Sequence, residues 1–242
     1  MRVAVVSDVH SNVEALDAVL AAADEAGCER LVALGDIVGY GPDPDAVIAR
    51  LRERNAVAIA GNHDLAATGA FDMRWFNEVA TAAIEWTTGV LSAEGKAFLE
   101  ALQPTRTTDD GLLVHGSVRD PIAEYLLSAE EAGVSFSLAD FDVAFFGHTH
   151  LPTVFRRRAD GHVMGWVVDE GEEVALVPGE RYMFNPGSVG QPRDHDPRAS
   201  FLIWEGSRAI VHRVPYEIET TAAKIRNAGL PEWLALRLFE GR

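Results

Sequence analysis

Cysteine, lysine and net positive charge are what this chain has least of. Cys28 is the only cysteine among 242 residues, which excludes an internal disulfide and fits a reducing cytosol. Two lysines, Lys96 and Lys224, and a formal net charge of -16 disfavour a sequence-independent nucleic-acid binder, because such proteins need a basic face to displace counterions from phosphates. No apolar run approaches the length of a membrane span. The opening residues Met-Arg-Val-Ala-Val-Val-Ser-Asp meet a carboxylate too early for a signal peptide, so a cytoplasmic protein without membrane attachment is expected. Internal repeats and low-complexity tracts are also missing.

What is present has the balance of a packed globular protein, with 48% hydrophobic and 24% charged residues, and the length suits one domain spanning residues 1–242. The chain opens with repeated strand-loop-helix patterns. Arg2–Val6, Arg30–Leu34 and Ala56–Ala60 read as short apolar strands that stop at Ser7-Asp8-Val9-His10, Gly35-Asp36 and Gly61-Asn62-His63-Asp64. Asp45 suits the N-cap of the second helix. Three such units argue for a mostly parallel sheet with its polar residues gathered on one edge. Asp8 and His10, at i and i+2, would project to the same side of an extended loop.

Leu65–Leu102 changes to a helical pattern, with Trp75, Phe76, Val79, Ala83, Ile84 and Trp86 at roughly helical spacing and Ser92 as a cap. Core packing is the expected use of these aromatics. The stretch 65–105 nevertheless follows the Asn62 loop directly and could wall a pocket. Gly111–Val114 and Asp142–His150 supply two more strand patterns, ending at His115-Gly116-Ser117 and Gly147-His148-Thr149-His150, with a helix near Ala129–Ala132 between them. From Thr153 to Val214 a run of hairpins implies a second, largely antiparallel sheet packed on the first. The final stretch, 217–242, is helical, and its amphipathic end through Trp233, Leu234, Leu238 and Phe239 is expected to close the core rather than pair with another copy. The pattern does not determine an oligomeric state.

Asp8, His10, Asp36, Asn62, His63, His115, His148 and His150 all stand just past a strand, and five of the eight histidines are among them. Carboxylate, imidazole and amide donors without thiolate make the ligand set of Mg, Mn, Fe, Zn or Ni, and carboxylates bridge when two such ions lie close. Bound cations would also give a phosphate-bearing substrate the positive charge that Lys and Arg do not supply here. His162, His195 and His212 lie outside the pattern and are expected to have no metal role.

In order and type, Asp8-Val-His10, Gly35-Asp36, Gly61-Asn62-His63-Asp64, His115-Gly116 and Gly147-His148-Thr149-His150 resemble the motifs of the calcineurin-like metallophosphoesterases, across residues 8–150. Asn185-Pro186-Gly187-Ser188 with Arg193, and Gly39-Tyr40-Gly41-Pro42, look like the small bacterial and archaeal subgroup related to phosphodiesterases. The resemblance implies an α/β (α+β) fold, a four-layer sandwich of two packed mixed sheets flanked by helices, of the metallo-dependent phosphatase-like kind. It also implies that Asp8, His10 and His150 hold one divalent metal ion, that Asn62, His115 and His148 hold another, and that Asp36 bridges them. Two cations about 4 Å apart can lower the pKa of a bridging water, grip phosphate oxygens and stabilise in-line attack.

On this reading the chain is a hydrolase of phosphomono- or phosphodiester bonds in a small substrate, acting through a dinuclear metal-bridged hydroxide. His63 is expected to protonate the leaving group, with Asp64 fixing its tautomer and raising its pKa. Capping the helix that follows is the other use for Asp64. Arg193, Asn12, Tyr40 and Arg119 stand near strand ends as candidate substrate contacts. Phosphoproteins and dinucleoside polyphosphates are alternative substrates, while long nucleic acid is disfavoured by the charge. A non-catalytic interaction scaffold, as in the retromer subunit that resembles this family but lacks its catalytic histidine, is the alternative of another class. The presence of His63 and of every ligand position argues against it.

Overall fold

Val3 and Val5 point into one apolar layer while Ala4 and Val6 point into another, and the rest of the chain is stacked on that alternation. These residues form β1 (Val3–Val6), followed by α1 (Val13–Glu25), β2 (Arg30–Ala33), α2 (Pro44–Glu53), β3 (Val57–Ala58) and α3 (Asn62–Ala67) in the computed structural model, which describes residues Met1–Arg242. A 3-10 turn at Met73–Trp75 leads to α4 (Glu78–Val90) and α5 (Ala93–Glu100), then to the hairpin β4 (Thr105–Thr108) and β5 (Gly111–Val114), α6 (Ala129–Leu138) and β6 (Val143–Phe145). The remainder is β7 (Pro152–Arg157), β8 (Val163–Val167), β9 (Glu173–Ala175), β10 (Arg181–Pro186), β11 (Ala199–Trp204), β12 (Arg208–Val214), α7 (Ile218–Asn227) and α8 (Glu232–Glu240).

Two six-stranded mixed sheets result, ordered β3-β2-β1-β11-β12-β9 and β4-β5-β6-β10-β7-β8. The parallel strands are β1, β2 and β3 in one and β5, β6 and β10 in the other. This corrects the expected division into one mostly parallel and one largely antiparallel sheet. The hairpin β11–β12 joins the first sheet, where β11 pairs with the edge of β1 that β2 leaves open, Val3 opposite Trp204. An unpaired edge there would leave buried backbone groups without partners.

Val3, Val5, Val32 and Trp204 of the first sheet meet Leu113, Phe145, Val154 and Phe184 of the second. On the outer faces, Leu16 and Val19 of α1 and Val47 and Leu51 of α2 cover the first sheet, and Ala132 and Phe136 of α6 cover the second. The order is helix, sheet, sheet, helix. Each fully buried apolar side chain contributes about 1.5–3 kcal/mol, against about 0–1 kcal/mol for an exposed ion pair such as Arg50–Asp17. The apolar middle therefore holds the sheets together.

Ile225 of α7 and Leu234, Ala235 and Leu238 of α8 pack with Ala83 of α4 as a smaller apolar cluster of their own, while Trp233 and Phe239, expected to help close the core, are exposed. No helix is long and apolar enough to cross a membrane. Asp43, not Asp45, stands at the N-cap of α2. Asp45 instead accepts hydrogen bonds from the Ser92 backbone N (2.9 Å) and Oγ (2.6 Å), which fixes the start of α5.

Candidate metal centre

The loops that leave the C-terminal ends of β1, β2, β3, β5 and β6 converge between the two sheets and bring their polar side chains together. His150 Nε2 lies 3.3 Å from Asp8 Oδ1 and 3.2 Å from His10 Nε2, which is 3.7 Å from Asp36 Oδ2. On the other side His115 Nε2 lies 3.4 Å from Asp36 Oδ2 and 3.2 Å from both Asn62 Oδ1 and His148 Nδ1. Asp36 thus stands between two groups of donors, Asp8 with His10 and His150 and Asn62 with His115 and His148. All seven are buried.

The second ring nitrogen of each of these histidines faces a backbone carbonyl. His10 Nδ1 lies 3.2 Å from Val38 O, His115 Nδ1 2.8 Å from Leu34 O, His150 Nδ1 2.5 Å from Gln191 O and His148 Nε2 3.2 Å from Ala123 O. A carbonyl only accepts, so each of these nitrogens donates and the opposite nitrogen turns a lone pair inward. Lone pairs 3.2 Å apart, such as those of His10 and His150, repel unless a positive charge lies among them. Asp8 Oδ1 is buried without a hydrogen-bond partner in the same place. The donor set and the unpartnered oxygen fit divalent cations, with no thiolate to bias the choice.

The loops are held in costly backbone conformations. Asp8, His10, Asp36, Tyr40, His148 and His150 all have φ between 48° and 64°, in the left-handed region. This corrects the extended loop expected for Asp8 and His10. Such residues cost about 1–3 kcal/mol each and persist where neighbours over-determine them. Here the loops bond to one another: His10 N donates to Asp36 O (3.0 Å), Ser11 N to Ile37 O (2.9 Å) and Gly190 N to Asp8 O (3.0 Å). The end of β10 and the turn that follows it, Asn185–Ser188, complete the clamp. Asn185 Nδ2 donates to Gly147 O (2.7 Å) and Thr149 Oγ1 (3.0 Å), and Ser188 Oγ to Asp8 O (2.8 Å). Gly61 has no side chain for a steric reason, since a Cβ there would overlap Asp36 Oδ1.

Burial opposes ionisation of Asp8 and Asp36, yet the surrounding histidines hold both carboxyls below the usual range. Burial disfavours a charged His115, while Asp36 and Asp8 raise its pKa to about 9 as long as no cation neutralises those carboxylates; a bound cation would take the place of that proton and leave the inner nitrogen its lone pair. Burial keeps His10, His148 and His150 below the ordinary imidazole value, the neutral state in which imidazole ligates a metal.

His63 lines a cavity of about 300 Å³ beside this cluster, together with Tyr40, Phe76, Tyr125 and Arg193. Its partnership with Asp64 is not made. The Asp64 carboxylate accepts from Ile37 N (2.9 Å), Val38 N (3.0 Å) and Gly61 N (2.9 Å), which ties the loop after β2 to the start of α3. His63 Nδ1 is buried without a partner, and burial lowers the pKa of the ring to about 4 instead of raising it. Burial and the neighbouring Asp36 raise Asp64 to about 7.

Asn12 is likewise corrected. Its Oδ1 caps α1 at Ala15 N (3.1 Å) and its Nδ2 donates to Gly190 O (3.0 Å), so it stays out of the cavity. Arg119 pairs with Glu124, also away from the cavity lining. Tyr40 and Arg193 do line it. Trp75 and Phe76 line it too, against the expectation of core packing. Phe71 lines it as well, within the stretch 65–105 expected to wall a pocket, whereas Tyr125 and the Ala123 carbonyl were not identified from sequence, because the segment between His115 and α6 carries no pattern that marks them.

The chain belongs to the calcineurin-like phosphoesterases: residues 1–208 match the calcineurin-like phosphoesterase superfamily domain. The family is metal-dependent and its members hydrolyse phosphoester bonds. Among relatives, the uncharacterized protein MJ0912 of Methanocaldococcus jannaschii is 36% identical over 247 residues, covering 99% of this chain and 98% of that protein. Phosphodiesterase YfcE of Escherichia coli K12 is 27% identical over 217 residues, covering 81% of this chain and 84% of YfcE. A solved metallophosphoesterase structure from Sphaerobacter thermophilus superposes with a TM-score of 0.89 at 42% identity, over 100% of both chains.

Proposed function

We propose that this protein hydrolyses phosphomono- or phosphodiester bonds of a small substrate at two divalent cations, one held by Asp8, His10 and His150, the other by Asn62, His115 and His148, with Asp36 shared. The observation that carries this reading is the inward convergence of lone pairs from four histidines, two aspartates and one asparagine, in two groups joined by Asp36. Bound there, the cations supply the positive charge that phosphoryl oxygens require and lower the pKa of water. The chain's own residues do the rest. The carbonyls of Leu34, Val38, Ala123 and Gln191 hold the imidazoles in the ligating tautomer. His63, a neutral imidazole on the cavity wall, donates a hydrogen bond to the ester oxygen as it leaves. Arg193, whose Nη2 is steadied by Gln191 Oε1 (2.9 Å), contacts a phosphoryl oxygen.

Hydrolysis of p-nitrophenyl phosphate and of its bis ester by Mn-loaded protein, with His63→Ala as control, tests the reading. Elemental analysis of protein purified without chelators gives the number and identity of the ions. Protein that holds metal but hydrolyses neither ester, while binding a partner protein through this face, would pass the site to the scaffold reading.

A further inference from the structure

The cavity beside the ligand cluster has one polar wall and one aromatic wall. The aromatic wall is formed by Tyr40, Phe71, Trp75, Phe76 and Tyr125. It starts at the histidines themselves: the Tyr125 ring lies on His148 (centroids 4.0 Å apart, planes at 28°), and Phe76 meets His63 edge-on at 4.9 Å. Phe71 meets Phe76 edge-on at 5.8 Å, which continues the wall outward.

Two of these rings are placed where folding gains little from them. Trp75 is 77% exposed and Tyr125 46% exposed, although both are large enough to anchor a core. Asp72 accepts from Arg74 N (2.9 Å) in the short turn that carries Trp75. Exposed aromatic surface around a concave site is the usual sign of a ligand that covers it. The polar groups nearby are few and unspent. Arg193 Nε is buried without a partner, and Asn77 at the cavity rim uses its Oδ1 to cap α4 at Ala80 N (2.9 Å), leaving its amide hydrogens without a protein acceptor. A volume of about 300 Å³ is at the small end for ligand cavities.

We infer that the cavity takes a phosphoester carrying a planar ring of the nucleobase type, and that Trp75 and Phe76 set this preference by stacking against the ring. The inference rests on the phosphoesterase reading for the phosphoryl end of the ligand only. A sugar or alkyl phosphate would leave the ring faces in water. Asn77 at the rim is placed to meet the polar edge of a base.

Calorimetric titration of the Mn-loaded protein with adenosine 5′-monophosphate and with ribose 5-phosphate tests the inference, because the two share phosphate and pentose and differ only in the base. The adenosine compound is expected to bind at least about tenfold more tightly, the range that one stacked base supplies. Trp75→Ala should remove about tenfold of that affinity and leave ribose 5-phosphate within about twofold, and Phe76→Leu should remove less. Equal affinities in the wild type, no binding of either compound, or a parallel loss of both in Trp75→Ala would overturn the inference. Hydrolysis of the bis(p-nitrophenyl) ester by the same wild-type preparation is read separately. Its failure with the base preference intact counts against the reaction and not against the ring pocket.

Discussion

The two walls of the cavity are built on opposite terms. On the polar wall Asp36, His148 and His150 line the cavity and belong to one cluster with Asp8, His10 and His115; all six are buried, and most sit in left-handed backbone held by cross-bonded loops. On the aromatic wall Trp75 stands on a three-residue turn with most of its surface in water. The difference teaches where rigidity is required. Positioning several like-signed groups around a charge tolerates little drift, so each of the four histidines is fixed by a second partner, a backbone carbonyl. Stacking tolerates displacement and exchange of one ring for another, so the aromatic wall can vary without disturbing the chemistry.

Four changes would break or sharpen this contrast. Asp36→Asn removes the carboxylate shared by both donor groups and should lower kcat/KM by at least about a thousandfold, several kcal/mol of lost charge stabilisation, together with metal content. Rates on the bis(p-nitrophenyl) ester and elemental analysis check it, and retained metal with a normal rate would show that the ligand cluster is not a unit. His63→Ala should lower kcat by about 10²–10⁴-fold with metal content unchanged, since its ring lines the cavity without taking part in the proposed ligand sets. Loss of metal in that variant would move His63 into the ligand cluster, beside His10 and Asp36, which it also approaches.

Asn185→Ala touches no proposed ligand. It deletes the bonds to Gly147 O and Thr149 Oγ1 and should weaken metal affinity by about 10–100-fold, read from competition with a chelator. The smallest effect is thermal. Metal at about a hundredfold over its Kd stabilises the folded state by about 2.7 kcal/mol, so chelation should lower Tm by about 5–10 °C for a chain of this size. Asp36→Asn should abolish that shift. Trp75→Ala should keep all of it and itself change stability by no more than about 0.5 kcal/mol.

The clustered donors were legible because each follows a short apolar strand and is of a type that strand loops rarely need. His115 and His148 stand past β5 and β6 just as Asp8 stands past β1. Of the two uses expected for Asp64, the fold takes helix capping and not the orientation of His63. A carboxylate next to a histidine in sequence suggests a hydrogen bond, but both residues lie in the first turn of α3, and the backbone N–H groups of Ile37, Val38 and Gly61 compete successfully for Asp64. Asn12 was misread for the same reason, since helix capping and the approach of Gly190 from 178 residues away use up its carboxamide. Trp75 and Phe76 follow a helical spacing in sequence, yet the chain there makes a 3-10 turn that faces outward.

Residue type and order along the chain were enough to specify a strand-loop architecture, the seven donors and the family to which they belong, because those features are local and repeat at each strand end. Only the folded chain decided how the strands divide between two mixed sheets, which nitrogen each histidine turns inward, and that aromatic rings form the second wall of the cavity. Those outcomes depend on competition among backbone groups and faces that lie far apart in sequence and meet only once the core has closed.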